Sequence, residues 1–272
     1  MARIIVTPPK GLSFPKWSEV WEAREVLWRF GMRDVVLRYR QTVVGVAWVI
    51  IQPLMAAGVF TIIFGNVADL PSGGLPYFLF TFAGMLGWNL FGGVVDRASP
   101  SLVANQSLVA KVFFPRLLIP ISSAFSVLLD FVVALGLMVV LLFAFGVNPG
   151  WAALALPLWM LCGVLLGLGI GLAASTLLVR YRDVGYVMPW LMQLLFFATP
   201  VAYSLDAVPS DLTWLFTMNP LSWLMESYRW SLLGMDAPPL WQMLGTGAAA
   251  LVVFFAGLLV YQRFEREFAD VI

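Results

Sequence analysis

The sequence contains no histidine, one cysteine and three lysines, and charged residues make up only 11% of its 272 positions. The absence of histidine removes the commonest general base and the commonest metal ligand. Cys162 lies alone in an apolar run, so a single chain can form no internal disulfide. None of Lys10, Lys16 and Lys111 follows a glycine-rich turn, and no G-x-x-x-x-G-K-[ST] phosphate loop occurs, so the chain lacks that route to ATP hydrolysis. No Cys/His or clustered acidic spacing points to a metal. A net charge of +1 without a basic tail argues against a nucleic-acid partner.

Soluble domains carry about 25% charged residues. Here the balance has moved to apolar side chains, which make up 61% of the chain, for a mean hydropathy of +0.90. Apolar runs at 43–64, 77–95, 118–145, 151–179, 186–203 and 240–261 each reach about the twenty residues needed to cross a hydrocarbon core of roughly 30 Å. The segment before 43 is too polar for a signal peptide, so the amino terminus is expected to be retained. The expected fold is an all-α integral membrane protein with six transmembrane helices, an N-terminal amphipathic interfacial helix and short re-entrant external helices before the last span. It forms a single transmembrane domain, divided into an interfacial region (1–33), spans one to five (34–204), an external segment (205–239), span six (240–262) and a charged tail (263–272) with no soluble domain attached.

In this six-span arrangement fifteen of the sixteen Lys and Arg residues fall on one side, and only Arg229 falls on the other. The positive-inside rule then places both termini in the cytoplasm. Ahead of the first span, Trp17, Val20, Trp21, Leu27, Trp28 and Gly31 recur near helical spacing against Glu19, Glu22, Glu25, Arg29 and Arg33, which reads as a helix lying in the cytoplasmic interface. It serves either as a membrane anchor or as a docking surface. The cytoplasmic segment 96–116 is longer than a plain connector and holds a short helical pattern bounded by Pro100 and Pro115. Outside, 205–239 is rich in Trp, Leu and Met, but Pro209, Asn219-Pro220 and Pro238-Pro239 cut it into pieces too short to span.

Few side chains carry candidate chemistry. Asp130 is an acid deep inside a span, where insertion costs about 2.5–3.5 kcal/mol, so it faces protein or water. It either lines a polar pathway or bonds a neighbouring helix. Gly163, Gly167 and Gly171 give span four a smooth face for packing within the protomer or for a dimer seam. Trp214, Trp223, Tyr228, Trp230 and Trp241 form an outer aromatic belt. Alternatively, with Glu226 and Arg229 three apart on one helical face, they guide a ring-shaped polar substrate such as a sugar.

Four ordered blocks carry a resemblance: DVVLRYRQTVVGVAWVIIQPL at 34–54, LGWNLFGGVVDRASPSLVANQSLVAKVFFPR at 86–116, LVRYRDVGYVMPWLMQLLFFATPVAY at 178–203 and NPLSWLMESYRWSLLG at 219–234. The chain resembles the membrane permeases of type-2 ABC transporters that export polysaccharides, including O-antigen and teichoic-acid exporters. The resemblance implies a half-transporter of the bacterial inner or plasma membrane. Two copies would pair with two copies of a separate nucleotide-binding subunit that binds ATP and Mg, and would move a lipid-linked glycan out of the cytoplasm. No cofactor is expected in this chain. Trp17, Trp21 and Trp28 of the interfacial helix and Ser101, Asn105 and Lys111 of the cytoplasmic loop would receive force from the ATPase. Asp130, Trp214, Trp223, Glu226, Tyr228, Arg229 and Trp230 would belong to the path or its gate. Arg38 and Arg40 either contact a pyrophosphate head group or anchor the interface by charge. Rival readings are the same architecture exporting a drug or lipid, a membrane enzyme using Asp206, Asp211, Glu226 or Asp236, and a passive channel.

Overall fold

A chain surrounded by hydrocarbon must satisfy its own backbone hydrogen bonds, which favours helices. The computed structural model describes residues 21–40, 47–111 and 114–265, and all regular structure among them is helical. In order, α1 is Arg24–Tyr39, α2 is Ala47–Phe60 continued by a π-helical stretch Thr61–Val67, and α3 is Tyr77–Ala98. Short α4 (Ser101–Ala104) and α5 (Gln106–Lys111) follow, then α6 (Leu118–Phe145), a 3-10 turn Gly150–Ala155 and α7 (Leu156–Arg180). Next come α8 (Val184–Phe197), external α9 (Thr213–Thr217) and α10 (Pro220–Leu233), and finally α11 (Leu240–Glu265).

Five stretches are long and apolar enough to cross a membrane: Ala47–Val67, Tyr77–Ala98, Leu118–Phe145, Gly150–Arg180 and Leu240–Glu265. The start of the first expected span, 43–46, and the end of the tail, 266–272, lie outside the described residues. The fifth expected span, 186–203, is only partly helical. α8 stops at Phe197 after 14 residues, about 21 Å at 1.5 Å per residue. Pro200 supplies the reason, since a proline disfavours α geometry at the residue before it and cannot donate a hydrogen bond of its own. The described structure therefore has five long spans and a sixth, shorter apolar helix, with two re-entrant external helices before the last span.

α3 is the central post, buried along most of its length and packed by α6, α7, α10 and α2. Small residues let its neighbours close in. A Cβ at Gly167 would lie 2.8 Å from the Phe91 carbonyl and one at Gly171 2.5 Å from Ala98 Cβ, so the glycine stripe of α7 seats α3 inside the protomer. On the opposite side Gly169 and Gly257 bring α7 and α11 so close that a methyl at either would collide with the other helix's backbone. Gly146 and Gly234, both at φ 68°, end α6 and α10 in the left-handed conformation that glycine adopts without strain. A second apolar cluster forms where Leu102, Val109, Leu117, Leu172, Leu258 and Tyr261 tie α4 and α5 to α6, α7 and α11.

Candidate functional site

A cavity of about 800 Å³ opens between α2, α3, α6 and α8, with the end of α1 contributing Arg38. Apolar and aromatic walls come from Phe82, Trp88, Phe131, Phe196 and Phe197. Polar groups reach it from every wall: Gln52 from α2, Asn89, Asp96 and Arg97 from α3, Asp130 from α6 and Gln193 from α8. Its size is that of a site for a drug-sized ligand or a few sugar rings.

Two side chains of α1 meet Asp130. Arg38 pairs with it at 2.5 Å, and the Tyr39 hydroxyl donates a short hydrogen bond to its other carboxylate oxygen. Burial first, then the bond to Asp130, pushes the Tyr39 phenol up to about 12. Asp130 thus binds a neighbouring helix and also lines the polar cavity. The bond closes an otherwise expensive carboxylate within the membrane and pins the interfacial helix to span three. Arg38 is thereby committed to Asp130, and Arg40, at the exposed end of α1, carries no such pair among the described residues.

Nearer the start of α1, Arg33 bonds Asp34 and reaches Asn105 Oδ1 at 2.8 Å, while Phe30 meets Phe114 edge to face. Gly31 lies against Phe125 of α6, where any side chain would clash. α1 thus links the 99–117 loop to α6. Trp21 is 71% exposed, and Trp28, 58% exposed, meets the Phe125 ring of α6 edge to face. In the loop, Ser101 is buried and donates to the Ala98 carbonyl, Asn105 donates to the Ser101 carbonyl, and the exposed face consists of Val103, Ala104, Gln106 and Ser107. Lys111 ends α5; its side chain and Trp17 lie outside the described residues.

The external aromatic residues divide. Trp214 is 64% exposed, and Trp223 stacks edge-on against Trp241 while donating to the Thr217 carbonyl. Tyr228 is fully buried beside Gly87 and Phe131, and Trp230 is wedged between Trp151 and Trp159. Arg229 turns inward. Its guanidinium donates to the carbonyls of Pro200 at 2.7 Å and Val201 at 2.8 Å, and lies 3.8 Å over the Phe80 ring. Burial pushes this arginine down to about 10, still charged at neutral pH. Glu226, raised by burial and lowered by Arg229, makes no ion pair with it among the described residues. Asn219 completes this corner, accepting from the Leu221 amide as the cap of α10 and donating to the Ala198 carbonyl.

Comparison with known proteins decides the family, since the model of the ABC-2 type transporter matches residues 25–233. The chain belongs to the ABC-2 type transporters. Similar proteins include O-antigen export system permease proteins of Klebsiella pneumoniae, one of them 28% identical over 247 residues, covering 88% of this chain and 92% of the relative. Another, from Myxococcus xanthus, is 27% identical over 254 residues, covering 93% and 97%. As an ABC-2 permease the chain is a membrane transport subunit that works with an ATP-binding partner.

Of the residues singled out from the permease's sequence, the structure brings Asp130 and Arg38 together at the cavity, and Ser101 and Asn105 together with Arg33 at the loop. It keeps Tyr228, Arg229 and Trp230 inside the protomer, apart from the exposed Trp214. Reading the sequence missed Gln52, Asn89, Gln193 and Arg97. The available signal was their isolation, each a polar residue within or at the end of an apolar run.

Proposed function

We propose that two copies of the permease and two copies of an ATP-binding subunit form an exporter that moves a lipid-linked polysaccharide, of O-antigen or teichoic-acid type, from the cytoplasmic side across the bacterial inner or plasma membrane. One observation carries this reading: a cavity of about 800 Å³ at membrane depth whose walls mix amide, charged and aromatic groups, in a chain similar over most of its length to O-antigen export permeases. A hydrated glycan cannot cross hydrocarbon unaided, and such a wall offers hydrogen bonds with flat apolar faces between them. ATP and Mg belong to the partner subunit, consistent with the missing phosphate loop. Both termini lie in the cytoplasm, which the fifteen-to-one partition of basic residues supports. The exposed Trp21, Trp28, Val103 and Gln106 offer the partner its docking face, and movement there is relayed through Arg33 to Asn105 and through Arg38 and Tyr39 to Asp130.

The test is depletion of the permease in its native host. Lipid-linked glycan accumulating on the cytoplasmic side, with loss of surface glycan, is the expected result. Unchanged surface glycan with accumulation of a drug or a lipid would overturn it.

A further inference from the structure

Three amides converge on the cavity from three different helices: Gln52 of α2, Asn89 of α3 and Gln193 of α8. All three are exposed on the protomer, and none makes a hydrogen bond among the described residues. Asn89 is the thirteenth of the 22 residues of α3 and Gln193 the tenth of the 14 of α8, so both sit near the middle of the membrane. An amide left bare in hydrocarbon costs several kcal/mol, so this face does not meet lipid. The charges at the cavity do not fill the need. Arg38 and Asp130 are spent on one another, and Asp96 and Arg97 lie two turns closer to the cytoplasm on α3. Beside the amides stand the rings of Trp88 and Phe196, 5.2 Å apart and edge to face, with Phe197 59% exposed next to them.

We infer that Gln52, Asn89 and Gln193 form a hydroxyl-recognition station on the export path, binding an uncharged segment of glycan while Trp88 and the α8 phenylalanines take its apolar faces. A primary amide presents a donor and an acceptor together, which matches a sugar hydroxyl that is also both. Neutral amides hold such a chain without the strong binding that would stall it. The station grips the sugar portion, which distinguishes it from any contact to the anionic head of the carrier lipid. This inference deepens the export reading and rests on it.

The experiment uses the whole complex, permease with its ATP-binding partner, reconstituted in vesicles. Transport is measured with a polyprenyl-pyrophosphate oligosaccharide and with the same carrier bearing a single sugar. Gln52→Leu, Asn89→Leu and Gln193→Leu suit a membrane interior and should each raise the half-saturating concentration of the oligosaccharide by about three- to tenfold, the scale of one hydrogen bond, with little change for the single-sugar carrier. Asn89→Gln should recover part of the loss. As a second readout, Gln193→Cys in a Cys162→Ala background should react with a membrane-impermeant maleimide and be protected by the oligosaccharide. Equal effects on both carriers, unchanged half-saturation in all three variants, or labelling only by a lipid-soluble maleimide would overturn the station. Variants that instead dissociate the two copies would also overturn it, showing that the amides bind helix to helix. A wild-type complex that moves neither carrier would overturn the export reading itself.

Discussion

Arg229 looks from the sequence like a misplaced charge, the only basic residue outside, and the structure gives it a structural task. Pro200 breaks α8 and leaves carbonyls of the turn without amide partners, and the guanidinium fork collects those of Pro200 and Val201. Arg229→Met should lower the thermal midpoint of the purified protein markedly, because buried carbonyls left bare cost about 1–3 kcal/mol each. Arg229→Lys should recover only part of this, since an ammonium cannot reproduce the fork. Sequence reading missed the role because the partners lie 28 and 29 residues away. Tyr39 supplies a second residue-scale test. Its folded pKa of about 12 exceeds the ordinary 10, so the folded state holds the phenolic proton more tightly than the unfolded one. The stabilisation is complete below pH 10 and is lost as pH rises toward 12. Tyr39→Phe should flatten this alkaline decline in a denaturation series, and an unchanged decline would assign it to other groups.

At the scale of elements, most helices were legible and their junctions were not. The run 118–145 coincides with α6 because Pro115 precedes it and Gly146 stops it, local signals that a single sequence carries. The end of α8 was overrun because apolar residues continue past Phe197 to Tyr203, and hydropathy does not register the proline break. The bond of Tyr39 to Asp130 joins residues 91 apart, a separation at which periodicity is silent. The loop that holds α4 and α5 yields a contrast to test. Ser107→Asp, on the exposed face of α5, should weaken co-purification of the ATP-binding partner several-fold while the permease remains folded. Ser101→Asp should instead lower its yield and stability, because that position, the first residue of α4, is buried. Equal behaviour of the two would contradict the assignment of the outer face to the partner. Gly257→Leu should force α7 and α11 apart and reduce folded protein sharply in detergent size-exclusion profiles.

Across the whole molecule, burial is lopsided. α3 is enclosed, whereas α2 exposes Met55 at 63% and its π-helical continuation Ile62 at 58%, and α8 exposes Leu191 at 43% and Leu194 at 46%, on the flanks of the cavity. A second copy set against these flanks would convert an open groove into an enclosed path, as the proposed two-copy assembly requires. Paired Met55→Cys and Leu194→Cys variants in a Cys162→Ala background should therefore cross-link into a dimer in native membranes. A monomer after oxidation, with transport intact, would exclude this arrangement.

α8 is about 21 Å long, some 9 Å less than the hydrocarbon core beside it. A helix too short for its bilayer thins the lipid around it or leaves the deficit to its neighbours, and here Phe216 of α9, with Asn219 and Arg229 at and within α10, contacts the turn that follows α8. The turn that follows α8 is thus held by a few polar contacts from a short neighbouring segment. Transport by the permease should accordingly depend on acyl-chain length, with thick bilayers straining this corner.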